Sequence, residues 1–104
     1  MRSPQDVERA LAAPETLGLE TRVSIRKAAE RLLDEMQDGV GRLVIDLTYT
    51  RAVDSAGLGA LMLIQRMAAE RRHVVVLRNP SEEIRFLLTL TKLYDLFHVE
   101  SGDD

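Results

Sequence analysis

The chain has no cysteine. That excludes a disulfide framework and a thiolate metal site, and it fits a reducing compartment without requiring one. Aromatic residues are scarce: two tyrosines, two phenylalanines and no tryptophan. Stacking platforms for nucleic-acid bases are therefore not expected. Basic charge is not in excess. The formal net charge is −3, whereas a nucleic-acid binder needs a basic face. Long apolar runs are also missing. The longest, Leu58 to Ile64 with Gly59 inside it, is far too short to cross a bilayer, so membrane insertion is not expected. No charged n-region followed by an apolar h-region opens the chain, and no secretion leader is expected. No internal repeat, low-complexity run or linker is present.

What is present suits one small domain. The chain has 104 residues, 45% of them apolar, which argues against wholesale disorder. A chain of this size buries roughly two-thirds of its unfolded surface, enough for one core. Residues 1–13 admit two readings. Ser3-Pro4-Gln5-Asp6 suits a helix start, with Ser3 as N-cap and Pro4 at the first helical position. Alternatively, Val7, Arg9, Leu11 and Ala13 alternate with Glu8, Ala10 and Ala12, as in an edge strand. The strand is preferred, because the sheet would otherwise be small. Pro14 ends either one.

From Thr21 to Met36, Ile25, Ala28, Ala29, Leu32 and Met36 recur at helical spacing, and Gly39 and Gly41 stop that helix. Leu43-Val44-Ile45 centres a strand over Arg42 to Thr48, of the kind covered on both faces. A second helix is expected over Gly57 to Arg72, with Arg71 and Arg72 at its negative end. His73 to Leu77 is a β-branched strand. Asn79-Pro80-Ser81-Glu82 predicts a helix start, with Asn79 as cap and Pro80 first. Ile84, Leu87, Leu88 and Thr91 form that helix's buried stripe. Leu96 to Glu100 suits a last short strand, and Ser101 to Asp104 an acidic, frayed tail. The implied fold class is a single small α/β domain with a mostly parallel (mixed) β-sheet covered by helices. Its expected parts are a short N-terminal segment over 1–13, the domain over 14–100 and the tail over 101–104.

Enzymatic motifs are missing. Ser55 lacks the G-x-S-x-G setting, since Val53 and Gly57 hold the outer positions. Gly57-x-Gly59 has neither the third glycine nor the lysine of a phosphate loop. The two histidines, His73 and His98, sit in or beside strands and suit core or edge positions better than a base. No histidine pair at helical spacing suggests a metal. No catalytic residue, metal or cofactor is assigned, and a hydrolase using Ser55 would want a base that the sequence does not offer.

The informative stretch is Val53-Asp54-Ser55-Ala56-Gly57-Leu58-Gly59, a strand-to-helix corner. In parallel sheets, ligands and partners collect at such corners. Asp54 and Ser55 are both helix-cap types, and one would suffice. Gly57 and Gly59 weaken the first turns unless something approaches the backbone closely. Leu58 to Ile64 is apolar nearly all round. Leu58, Leu61, Met62 and Met67 either face a partner or are covered by neighbouring elements.

That stretch resembles the D-S-x-G-L-G signature of STAS domains, the family of anti-sigma factor antagonists. Leu43-Val44-Ile45-Asp46-Leu47 resembles the preceding family strand, and Arg71 to Leu77 the helix end and strand that follow. Asn79-Pro80-Ser81 through Leu93 resembles the last helix, with Lys92 where glycine is usual in the closing turn. The resemblance covers roughly residues 14–100. It implies a STAS-like fold and a cytoplasmic bacterial regulator that binds protein partners. Ser55 would be phosphorylated by a partner that is both anti-sigma factor and serine protein kinase. Asp54, Ser55, Ala56, Gly57, Leu58, Leu61 and Met62 would make the partner surface, together with Gly18 and Thr21. Gly18 stands where the family commonly has aspartate, three residues before Thr21. The run Pro14-Glu15-Thr16-Leu17-Gly18-Leu19-Glu20-Thr21 instead resembles the L-P-E-x-L-x-x-x-T variant of shorter STAS proteins. Among these is the small cytoplasmic subunit of a bacterial ABC phospholipid transporter, which bears on the ATPase. The sequence does not specify the oligomeric state.

Overall fold

The computed structural model describes residues 7–39 and 41–101. Strand β1 (Glu8–Ala12), strand β2 (Thr16–Leu17) and helix α1 (Arg22–Glu35) come first. Strand β3 (Arg42–Asp46), strand β4 (Ala52–Val53) and helix α2 (Ser55–Glu70) follow. Strand β5 (Val74–Arg78), helix α3 (Glu82–Leu90), a 3₁₀ turn (Tyr94–Leu96) and strand β6 (His98–Glu100) complete the described chain.

The main sheet has the order β1-β3-β5-β6, and β2 and β4 form a separate two-stranded sheet. Every described pairing is parallel. The fold class is the expected one. Residues 8–12 do form an edge strand, in register with β3 from Glu8↔Arg42 to Ala12↔Asp46. The alternative helix start at Ser3 to Asp6 lies outside the described residues.

Alternation along the strands sets two faces. Leu43, Ile45, Val75 and Leu77 point into a core shared with Ile25, Ala29 and Leu33 of α1, Leu61, Ile64 and Ala68 of α2, and Ile84 and Leu88 of α3. The helices thus pack on one face. On the other face, Val44 and Val76 are also fully buried, but beneath charged side chains. Arg78 Nε lies 2.7 Å from Glu100 Oε1, and Arg42 reaches Glu100 and Glu8, each at 3.3 Å. The expected cover on both faces is present, with an ion-pair layer in place of a second helical layer. Arginine side chains on such a face can lay their aliphatic stems along apolar surface while their charged heads pair above it.

Element ends differ from expectation in several places; among them, β3 stops at Asp46 and not Thr48, and β6 begins at His98 and not Leu96. Helix α2 starts at Ser55, not Gly57, because Asp54 caps it. It ends at Glu70, which leaves Arg71 at the cap and Arg72 in left-handed backbone with φ 61°. Helix α3 is capped by Ser81, whose Oγ accepts from Ile84 N, and not by Asn79. Thr91 falls at the C-cap and is exposed, so it leaves the buried stripe. His73 precedes β5 and is buried, with Nδ1 accepting from Gly41 N at 3.0 Å. His98 is exposed on β6.

Candidate functional site

The two short strands place the site. Thr16↔Ala52 and Leu17↔Val53 are in register. Each strand leads directly into a helix, β2 into α1 and β4 into α2. Both helices then run back to β3 and β5, which are themselves parallel. The amino ends of α1 and α2 therefore stand side by side, and their partial positive charges add.

Asp54 ties these ends together. Its Oδ1 accepts from Gly57 N at 2.9 Å, and its Oδ2 accepts from Leu19 N at 3.2 Å across the gap. The Gly57 amide is the main reason its carboxyl sits below the ordinary carboxylate range, with the Leu19 and Ala56 amides adding to it and burial opposing. Thr21 organises the loop before α1: its hydroxyl donates to Thr16 O at 2.8 Å and accepts from Gly18 N at 2.9 Å. The roles expected for these two side chains are thus partly occupied internally. Gly18 has a spatial reason: a Cβ there would run into the Asp54 carboxylate. An aspartate cannot occupy position 18 while Asp54 bridges to Leu19.

Ser55 is the first residue of α2 and is exposed. Asp54 already does the capping, and among the described residues the Ser55 hydroxyl makes no hydrogen bond. The two cap-type residues are therefore divided in role. Gly57 is buried because a Cβ would collide with the Leu17 carbonyl. The close approach that it permits is by the protein's own β2. Gly59 is different: nothing lies within 4 Å of its Cβ position, and it faces open space.

Leu61 needs correction as a partner-facing residue. It is fully buried, because α2 turns Gly57, Ala60, Leu61, Ile64 and Ala68 toward the sheet. Leu58 and Met67 are half-buried against the core, and Met62 is 43% exposed. Leu63, not singled out from the sequence, is 40% exposed. With Ser55, Ala56, Gly59 and Ala60 it forms the α2 wall of a groove of about 530 Å³, whose α1 wall is Arg22, Val23 and Arg26. The sequence signal for the α1 wall was the i, i+4 spacing of the two arginines. A second hollow of about 310 Å³ joins Gly18, Thr21 and Asp54 with Thr16, Leu19 and Glu20. The corner thus offers a free hydroxyl, an outward apolar stripe and two cations. It offers no histidine, since His73 lies beyond the other end of α2.

Comparison with known proteins agrees with the fold. A solved structure of a candidate anti-sigma factor antagonist from Thermotoga maritima superposes with a TM-score of 0.76 at 21% identity, over 90% of this chain and 79% of that one. No curated protein matches the chain. The family model described as "Mlab, STAS domain" matches residues 4–98, and the chain accordingly belongs to the STAS domain family.

Proposed function

We propose that the chain is a cytoplasmic regulatory binding protein of the anti-sigma factor antagonist type, switched by phosphorylation of Ser55. The partner is an anti-sigma factor that is also a serine protein kinase. It docks on Asp54, Ser55, Ala56, Leu58 and Met62, with the Gly18–Thr21 loop beside them. The observation that carries this reading is the free Ser55 hydroxyl at an exposed helix start whose capping is done by Asp54. In the transfer, Ser55 Oγ bonds to the γ-phosphorus of ATP, the bond to the β,γ-bridging oxygen breaks, ADP leaves, and the hydroxyl proton passes to a kinase base. The new phosphate carries about −1.5 to −2 charges at neutral pH. It would be desolvated against an apolar interface, which costs affinity, while no hydrogen bond of the fold is lost.

Incubation with kinase-type anti-sigma factors of the same genome and ATP is expected to label the wild type and not Ser55→Ala. Label on another residue, or undiminished label on Ser55→Ala, sinks the site. Ser55→Asp is expected to weaken partner binding tenfold or more while leaving the thermal midpoint nearly unchanged.

A second reading has its own support. The matching model is the Mlab STAS domain, and the Asp54 carboxylate fills the space that an aspartate at position 18 would need. On this reading the same face holds a bacterial ABC phospholipid transporter ATPase constitutively, without phosphorylation. Equal binding of that ATPase by wild type and Ser55→Asp, together with no labelling of Ser55, supports the accessory subunit over the switch.

A further inference from the structure

The groove beside Ser55 contains two cations that the docking reading does not use. Arg22 and Arg26 lie one turn apart on α1 and line the groove opposite Ser55. Arg22 is the first residue of α1, where the helix dipole repels a cation. Neither α1 nor α2 has an acidic residue in its first turn, whereas α3 has Glu82 and Glu83 there. The electrostatic complement at the two adjacent helix starts is therefore left to the Asp54 cap, and a cation has been added at the start of α1. A local rule broken in this way marks a place where charge is needed for something other than folding. Among the described residues Arg22 has no ion pair, and Arg26 has only a loose contact with Glu30 at 3.9 Å.

We propose that Arg22 and Arg26 form a receiving site for the phosphate carried by phosphorylated Ser55, so that modification closes the α1–α2 groove from within. This rests on the reading of Ser55 as the phosphorylated residue. The phosphate oxygens accept from the two guanidinium groups, a charge-assisted arrangement that arginine suits well. The α2 wall of the groove adds no charge, since Ser55, Ala56, Gly59, Ala60 and Leu63 are neutral. Asp54 opposes the phosphate, but its two oxygens are already held by the Gly57 and Leu19 amides, and Glu30 competes for Arg26 only from 3.9 Å. The switch then works by masking. The phosphate covers the groove and cancels its positive charge.

The test needs no kinase. Phosphoserine is installed at position 55 by genetic encoding, and the second phosphate ionisation is followed by phosphorus NMR. In the folded protein it is expected about half a unit to one unit below its value in denaturing urea. Arg22→Gln with Arg26→Gln is expected to remove at least half of that shift, and Arg22→Gln alone to remove part of it. Arg31→Gln, an equal charge change on the exposed side of α1, is the control and is expected to leave it in place. Asp54 and the helix amino ends act equally in all these proteins, so the comparison isolates the two arginines. An unchanged titration in both groove variants overturns the proposal. Because the phosphoserine is genetically encoded, failure to find a kinase does not affect the result, and a normal kinase with an unshifted phosphate rejects only the receiving site.

Discussion

Gly57 and Gly59 stand two residues apart in α2, in opposite surroundings. Alanine favours a helix over glycine by about 1 kcal/mol. At position 59 nothing opposes that gain, because the Cβ enters open space. Gly59→Ala is expected to stabilise the protein by about 0.5–1 kcal/mol. At position 57 the Cβ meets the Leu17 carbonyl. That carbonyl belongs to backbone and also accepts from Asp54 N at 3.1 Å, so it cannot turn aside cheaply. Gly57→Ala is expected to destabilise by about 1–3 kcal/mol. Thermal unfolding of both variants decides the matter. Equal stability of Gly57→Ala and wild type would mean that α2 does not press on β2. The two glycines look alike in the sequence, where both weaken a helix start, because the difference lies in β2, forty residues earlier.

At the scale of the element, the rotational setting of α2 decides which apolar residues face outward. Leu58 to Ile64 is apolar on nearly every side, so periodicity within it carries little phase information. Contact with the sheet chooses Leu61 and leaves Met62 exposed. Leu61→Ala is expected to cost about 2–5 kcal/mol, and Met62→Ala to stay within about 0.5 kcal/mol, as measured by urea unfolding. A large loss at Met62 would mean that α2 is turned the other way. The helices and the main-sheet strands were readable, since β-branched runs and helical spacing are local signals, but the two-residue strands β2 and β4 that place the site are too short to show a period and were not expected. Caps were less readable. In Asn79-Pro80-Ser81 two cap-type residues lie two apart, and the choice belongs to the sheet. Asn79 N donates to Glu100 O at 2.7 Å, which holds residue 79 to β6 and leaves Ser81 to cap. At the candidate site, Ser55 and Asp54 could be found from their position at a strand-to-helix corner. Their division of labour could not, because it depends on which carboxylate oxygen reaches which amide.

For the whole molecule, the face of the sheet away from the helices is the unusual part. Arg42 and Glu100 are 58 residues apart in the chain, and no local spacing announces such a pair. Arg78 and Arg42 close over Val44 and Val76 with Glu8 and Glu100, each partner only about one-third to two-fifths exposed. The layer gives the fold a direction of pH dependence. Glu100 titrates below its ordinary value, first because of its hydrogen bond to Arg78 and then through the charges of Arg78 and Arg42, with burial opposing. Asp46, in the same row of the sheet, is also lowered, chiefly by hydrogen bonds from Thr48. A carboxylate with a depressed folded-state value binds fewer protons folded than unfolded. Its contribution is therefore full above the unfolded values of 4.5 and 3.8 and is lost as pH falls through the lower folded ones. Urea midpoints are expected to be level between about pH 7 and 5 and to fall below about pH 4.5. Glu100→Gln isolates the layer. At neutral pH it leaves two arginines over the sheet with Glu8 as their shared ion-pair partner and Asp46 beside Arg78, and it is expected to be less stable than wild type. As pH falls, wild-type Glu100 takes up its proton and loses the same attraction, so the two midpoints should converge. The gap should also shrink in high salt, which screens half-exposed pairs. A gap that stays constant from neutral to acid pH would show that residue 100 acts by packing alone. The two valines would then owe their burial to the arginine stems and not to the charges that hold those stems in place.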